Sequence, residues 1–234
     1  MPSEIFRKDK TCCNFCLERS DIFSCLNQDE LGVIGDNRSE VHFKAGELIF
    51  KQGTPAAHLL CLTKGMVKLY IEGYDNKNLI IGIVKPIEYI LGPGIYVDSK
   101  HHYSAVAMED SIACLVDANV FKTLIHTNPS FADEFIRKVS QLSIYNFEQF
   151  ISLTQKQMPG RIADVILYLS ERIYGSLSFT TTLSRQDIAD MSGMSKESAI
   201  RILKEFKDEK IIAVEGNTFE ILNLESLHKI SQTG

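Results

Sequence analysis

The stretch LSRQDIADMSGMSKESAIRILKEFKDE, Leu183–Glu209, decides how this chain is read. Ser184 followed three residues later by Asp187 is a capping-box pattern and predicts a helix start. Ile188 and Ala189 fall on the inward face of that helix. The small side chain of Ala189 lets a second helix cross closely. Gly193, four residues on, suits a tight turn with positive φ. Ser195 then caps a second helix, on which Ala199, Ile202, Leu203 and Phe206 form the face to be buried. Two helices joined by a short glycine turn predict a helix-turn-helix, whose second helix enters a DNA major groove.

The outward face of the second helix carries Lys196, Glu197, Ile200, Arg201 and Lys204, with Ser195 and Ser198 at its start. An arginine bonds the O6 and N7 of guanine in bidentate fashion, and a glutamate accepts from the N4 amino group of cytosine. Glu197 and Arg201 are four apart and are expected to lie together. Ile200 is an apolar side chain on a wet face, a place that makes sense against a thymine methyl. The plain alternative is an i,i+4 surface pair worth a few tenths of a kcal/mol. Residues 158–234 hold 9 basic and 11 acidic side chains, so this part is not basic overall. Phosphate contacts must then come from a local cluster, Arg185, Lys196, Lys204 and Lys207, together with helix N-termini.

The flanking sequence extends this unit in both directions. A short strand at about 179–183 precedes it. Two small strands around Glu215-Gly216-Asn217 and a final helix near 223–230 follow it. Before it, Pro159-Gly160 breaks the chain ahead of a helix with Ile162, Val165, Ile166 and Leu169 on one face. From about Pro129 to Gln155 there are no glycines and no further proline, which predicts one long helix. Ile136, Val139, Ser143, Asn146, Phe150 and Leu153 follow the alternating 3,4 spacing of a coiled-coil seam, which implies a second copy of the chain. Packing on its own domain is the alternative, and Asn146 within the seam favours specific pairing. Residues 41–117 read instead as short β-rich runs separated by glycine turns, the pattern of a sandwich or jelly roll. In MVKLYIE, Val67, Leu69 and Ile71 alternate with Lys68, Tyr70 and Glu72, the period of a half-buried strand. The expected organisation is α+β. It comprises an N-terminal cysteine-bearing segment (1–40), a β jelly roll (41–128), a dimerisation helix and hinge (129–157), and a winged helix-turn-helix (158–234).

Composition agrees with a globular chain. Of 234 residues, 44% are hydrophobic and 24% charged, which excludes a mostly disordered chain or a collagen-like fibre. The net charge of −5 gives no global hint of nucleic acid, so that reading rests on local geometry. No run of about 18 apolar residues predicts a membrane span. Met1–Lys10 is charged and lacks the apolar core of a secretory signal, so a cytoplasmic protein is expected. No nucleophile–base pair, metal triad or phosphate loop suggests an enzyme. The cysteines are Cys12, Cys13, Cys16, Cys25, Cys61 and Cys114. In a reducing compartment a disulfide framework is not expected, and metal or redox roles gain weight.

Taken together, the chain resembles the CRP/FNR superfamily of bacterial transcription regulators over nearly its whole length. Gly160-Arg161-Ile162-Ala163 and Ser195–Leu203 are the most specific stretches. The resemblance implies a cyclic-nucleotide-binding-type jelly roll, a long dimerisation helix and a C-terminal winged helix-turn-helix. It implies a homodimer on double-stranded DNA, a palindrome whose half-site has a G·C-rich centre such as TGA, and RNA polymerase as a protein partner. Where the family has an Arg-Glu pair followed by Arg, this chain has Lys196, Glu197 and Arg201. The effector pocket would lie at Gly92, Gly94, Tyr103 and Ser104. There Gly92 stands in the place of the ribose-binding Glu, and Tyr103 in that of the Arg that pairs the cyclic phosphate. A buried phosphate without a cation is costly, so no cAMP binding is expected at physiological levels. His101 and His102 are expected to be solvated loop residues. Oxygen-sensing members hold a [4Fe–4S] cluster, and Cys13, Cys16, Cys25 and Cys114 are the matching set. Cys25 departs from the family spacing, where Asp21 stands instead. A zinc site from Cys12, Cys13, Cys16 and Cys25 competes with this reading, as does a cysteine-bearing N-terminus without metal, with Cys114 in the core. Cys61 is expected to be plain core. The leading expectation is a DNA-binding regulator with a sensory β-domain. The alternative is a small-ligand or metal/redox sensing module whose DNA binding is weak or lost.

Overall fold

The computed structural model describes residues 22–90 and 92–234. Cys12, Cys13, Cys16 and Asp21 therefore lie outside the described residues. The chain divides into two compact units. The first is the β-domain with the chain up to Ser143; the second is Glu72–Ile81 together with Ile144–Gly234.

The β-domain begins with helix α1 (Gln28–Asp36). Asn27 starts it through a reciprocal cap: its Oδ1 accepts from Glu30 N, and the Glu30 carboxylate accepts from Asn27 N, each at 2.9 Å. The strands follow as β1 (Arg38–Phe43), β2 (Leu48–Phe50), β3 (His58–Lys64), β4 (Val67–Glu72), β5 (Asn78–Val84) and β6 (Tyr89–Ile90). A single helical turn, α2 (Gly94–Val97), precedes β7 (Ser104–Ala107) and β8 (Ser111–Asp117). They assemble into two four-stranded sheets, ordered β1-β8-β3-β6 and β2-β7-β4-β5. This is the jelly roll that the glycine-punctuated runs predict. Gly65 shows why one of those glycines is needed: its φ is +87°, and Ser111 occupies the space a Cβ would take.

β3 is buried along LLCL because its sheet is covered on both faces. Leu59 and its cross-strand partner Val116 face α1 and α3 (Ala118–Thr127). There they join Phe23, Ile34, Phe121 and Phe131 in one apolar core. The alternation expected in β4 holds only at its start. Val67 is fully buried, whereas Ile71 is exposed, because β4 pairs with β7 only as far as Tyr70.

Helix α4 (Pro129–Gln155) covers the span marked by the lack of internal glycine and proline. Its exposed apolar stripe is broader than the expected seam and centred differently. Ile136, Phe147, Phe150 and Ile151 are 50–62% exposed, whereas Leu153 turns toward Gly193 of its own chain. Phe147, four residues beyond Ser143 and three before Phe150, is exposed beside the likewise exposed Asn146. α5 (Met158–Leu167) then starts with Pro159 in its first turn. The proline does not break the helix here, because the missing N–H would have no intrahelical partner at that position. A π-helical segment, Tyr168–Tyr174, extends α5 to Gly175. β9 (Ser178–Thr180), α6 (Arg185–Met191), α7 (Lys196–Asp208), β10 (Ile212–Glu215), β11 (Thr218–Ile221) and α8 (Leu224–Thr233) complete the chain. The three strands form a small sheet ordered β10-β11-β9.

Asp164 on α5 is a polar node in the second unit. Its carboxylate accepts from Ser152 Oγ of α4 at 2.5 Å and Ser231 Oγ of α8 at 2.5 Å. It also accepts from Lys156 Nζ at 2.8 Å. Removing it takes the shared acceptor from three donors in a partly buried place, and Lys156 keeps only its long bond to Ser231 Oγ at 3.4 Å. Asp164→Ala is therefore expected to lower the unfolding free energy by about 1–3 kcal/mol, with Asp164→Asn retaining part of it. Urea titration followed by circular dichroism measures both.

Candidate nucleic-acid interface and sensory pocket

The two helices of the helix-turn-helix are built as their sequence dictates. Ser184 Oγ accepts from Asp187 N at 3.1 Å, and the Asp187 carboxylate accepts from Ser184 N at 2.8 Å, which starts α6. Ala189 is fully buried, so α6 and α7 lie close, and Met194 N returns a bond to Ala189 O at 3.1 Å. Gly193 takes φ +60° in the turn. Arg161 fixes that turn from below: its Nη1 donates to Ser192 O and Gly193 O, both at 3.3 Å. This bracing role was not read from the sequence, although Arg161 belongs to the Gly160–Ala163 stretch that drew attention. Its neighbour Gly160 meets the Gly234 backbone so closely that a Cβ would clash.

Ser195 Oγ accepts from Ser198 N at 3.2 Å and caps α7. Ala199, Ile202, Leu203 and Phe206 are buried as expected, while Lys196, Glu197, Ile200, Arg201 and Lys204 are exposed. Ser198 is half-buried. The helix therefore offers one continuous outward face. Glu197 sits in the first turn. Hydrogen bonds from its own backbone N–H and the Ser195 hydroxyl hold its carboxyl below the usual range. Arg201 points the other way from the expected pair: its Nη1 donates to Glu205 Oε1 at 2.7 Å, one turn later, rather than to Glu197. Arg185 is also committed elsewhere. Its Nη2 donates to Gly216 O of the β10–β11 turn at 2.8 Å, and its guanidinium lies 4.9 Å from the Phe219 ring centroid. Lys207 Nζ reaches Val214 O of β10 at 3.3 Å. Of the expected phosphate-contact cluster, Lys196 and Lys204 stand exposed on α7, whereas Arg185 and Lys207 tie the helices to the wing.

The residues at the expected effector pocket, Gly92, Gly94, Tyr103 and Ser104, carry no charge near pH 7. Tyr103 is buried, and burial pushes its hydroxyl far above the usual range. Ser104 is fully buried, and its Oγ accepts from Gln52 N at 2.9 Å. His101, expected to be solvated, is only 8% exposed; its ring stacks on Phe50 at 3.8 Å and its Nδ1 has no partner among the described residues. Desolvation lowers its pKa, so the imidazole is neutral near pH 7. His102 is exposed and pairs with Asp98 at 3.1 Å. Gly92 faces His101, and Gly94 begins α2 where the Lys100 carbonyl leaves no room for a Cβ. Within this set no side chain supplies a cation: the tyrosine is neutral and the buried histidine carries no charge near pH 7.

Of the described cysteines, Cys61 and Cys114 lie opposite each other on neighbouring strands and Cys25 lies apart from them in sequence. Cys25 is half-buried, and its Sγ lies 3.5 Å from Ile22 O; Cys61 and Cys114 are buried in β3 and β8. Among the described residues, no cluster of three metal-ligating side chains occurs.

Comparison with known proteins follows the same division. A family model described as a cyclic nucleotide-binding domain matches residues 40–128, and one described as a Crp-like helix-turn-helix domain matches residues 160–230. Together they span more than half of the chain. It belongs to the CRP/FNR family of transcription regulators. Electron transport regulator A of Shewanella oneidensis is 27% identical over 211 residues, which covers 88% of this chain and 84% of that protein. The CRP-like cAMP-activated global transcriptional regulator of Mycobacterium tuberculosis is 23% identical over 215 residues, 90% of this chain and 96% of that one. FixK2 from Bradyrhizobium japonicum shares the fold with a TM-score of 0.76 at 20% identity, covering 84% of this chain and 98% of its own. The protein is a DNA-binding regulator with a cyclic-nucleotide-binding-type domain, and not an enzyme.

The burial of His101 predicts a pH dependence of stability. An unfolded histidine takes up a proton near pH 6.5, whereas the folded one resists it until lower pH. The unfolded state thus binds more protons as the pH falls. The stabilisation is complete above about pH 6.5 and fades below it. His101→Phe, which keeps the stack on Phe50, is expected to flatten the fall in melting temperature between pH 7 and pH 5.

Proposed function

We propose that this regulator acts as a homodimer, presents paired α7 helices to a palindromic DNA site, and takes its signal through the β-domain. The observation that carries the reading is the form of α7: a capped start, one wholly buried face and an opposite face bearing Lys196, Glu197, Ile200, Arg201 and Lys204. Glu197 and Arg201 supply an acceptor and a bidentate donor to base edges. Lys196, Lys204, Ser195 and Ser198 lie where phosphates flank a helix in the major groove. Arg185 contributes by setting the wing rather than by reaching outward. A half-site with a G·C-rich centre such as TGA suits the pair.

The exposed stripe of α4 supports the dimer. Ile136, Val139, Phe147, Phe150 and Ile151 leave too much apolar surface on one helical face for a solvated monomer. A second copy of the same helix covers such a stripe by knobs-into-holes packing. Two DNA-binding units also double the phosphate contacts of a domain that is acidic overall. A small effector other than a cyclic nucleotide would shift the population between two arrangements of the pair. At a promoter, the bound dimer would act through RNA polymerase. The setting is the cytoplasm; no helix among the described residues is long and apolar enough to cross a membrane.

Arg201→Ala is expected to weaken binding to a selected site by about 1–3 kcal/mol and to relax preference at one base pair. Fluorescence anisotropy with the site and its single-base variants measures this, and an unchanged base preference would refute the reading. Phe150→Glu is expected to yield monomers in sedimentation velocity; an intact dimer would show that the stripe is not the interface.

A further inference from the structure

Cys61 and Cys114 are direct cross-strand partners in the antiparallel pair β3–β8, flanked by the pairs Leu59–Val116, Leu60–Leu115 and Leu62–Ala113. Residues directly opposite in such a pair have Cα atoms about 4.5–5.5 Å apart and side chains on one face. A disulfide requires a Cα separation of about 4.4–6.8 Å, so the register already provides the spacing. In the flanking pairs Leu59, Leu60, Leu62, Ala113 and Val116 are buried and Leu115 is half-buried, which holds that register against slippage. The two sulfurs lie in a row across the sheet. Glu40 of β1 is opposite Cys114 on one side, and Tyr89 of β6 is opposite Cys61 on the other. Arg38 Nη1 donates to Cys114 Sγ at 3.2 Å, which fixes that sulfur and sets a cation beside it.

We propose that Cys61 and Cys114 form a redox pair that closes to a cross-strand disulfide when the protein meets hydrogen peroxide. Cys114, next to the guanidinium, attacks one peroxide oxygen as its thiolate. The O–O bond breaks, hydroxide leaves, and the sulfur becomes a sulfenic acid. Cys61 then attacks that sulfur; the S–O bond breaks and the hydroxyl departs as water with the Cys61 proton. Two thiols are oxidised, and one peroxide is reduced to two waters. The new bond joins the two central strands of the sheet, three residues before Asp117, the cap of α3. It also converts Cys114 from a thiol into a disulfide sulfur, which no longer serves as a thiolate ligand.

The test uses full-length protein, purified without oxygen and then treated with hydrogen peroxide. Remaining thiols are alkylated, and the non-reduced tryptic peptides are mapped by mass spectrometry. The expected result is a linked peptide pair containing Cys61 and Cys114, with the mass lowered by two hydrogens, in protein that migrates as a monomer on a non-reducing gel. A variant with Cys12, Cys13, Cys16 and Cys25 all changed to Ser should form the same link. Cys61→Ser should abolish it and leave Cys114 as sulfinic acid. Recovery of Cys61 and Cys114 as alkylated thiols after peroxide has oxidised the other cysteines would overturn the proposal. So would Cys114 linked only to an N-terminal cysteine or to a second chain. Should the four-serine variant fail to fold, the wild-type map alone decides.

Discussion

The close crossing of α6 and α7 is the constraint on which the DNA-binding unit depends. Ala189 on the first helix and Ala199 on the second are both fully buried, and a larger side chain at either place would force the helices apart. The turn between them is held from two sides. Gly193 supplies a left-handed backbone, and Arg161 grips the two carbonyls at Ser192 and Gly193. The direction of α7 is therefore set by backbone geometry and one buried-side arginine, which leaves its outer residues free of structural duty. Lys196, Ile200 and Lys204 need satisfy only what lies outside the protein.

Electrostatics in this unit is local rather than global. The domain is acidic overall, yet its cations are sorted by task. Arg185 and Lys207 are spent on the wing, through Gly216 and Val214, and Arg161 on the turn. Lys196 and Lys204 remain on the outward face. The acids are likewise placed. Glu197 stabilises the start of α7, where a negative charge meets unpaired N–H groups. Asp164 gathers Ser152, Lys156 and Ser231 and so joins α4, α5 and α8 within one unit.

Most of the architecture was legible because its signals are local. The capping residues Ser184 and Ser195, the glycine turns of the β-domain and the uninterrupted run of α4 each act within a few residues. The departures arise where the deciding partner is distant or where two local choices are equal. Arg201 had a carboxylate four residues away in both directions, and periodicity does not choose between Glu197 and Glu205. His101 read as loop, but Phe50, from a strand some fifty residues earlier, covers its ring. Leu153 fitted the dimer seam by spacing, yet Gly193 of its own chain takes its side chain. Pro159 read as a break because its position within the first turn of α5 is visible only once the helix start is fixed. Of the candidate site, the exposure of Lys196, Glu197, Ile200, Arg201 and Lys204 on α7 was readable, whereas the partner of Arg201 and the duty of Arg185 were not, since the latter depends on where the wing folds back.

If Arg201 reads a base edge as proposed, its bridge to Glu205 bears on how that arm behaves before it meets a target. A guanidinium already docked on a carboxylate of its own helix has a resting place of comparable chemistry to a guanine edge. Leaving it is worthwhile only when the new acceptors are spaced for both prongs of the fork. A mismatched duplex then offers nothing the arm does not already have, and the helix slides past with its arm folded. Selectivity in such a reader comes in part from an internal competitor that every wrong sequence must outbid.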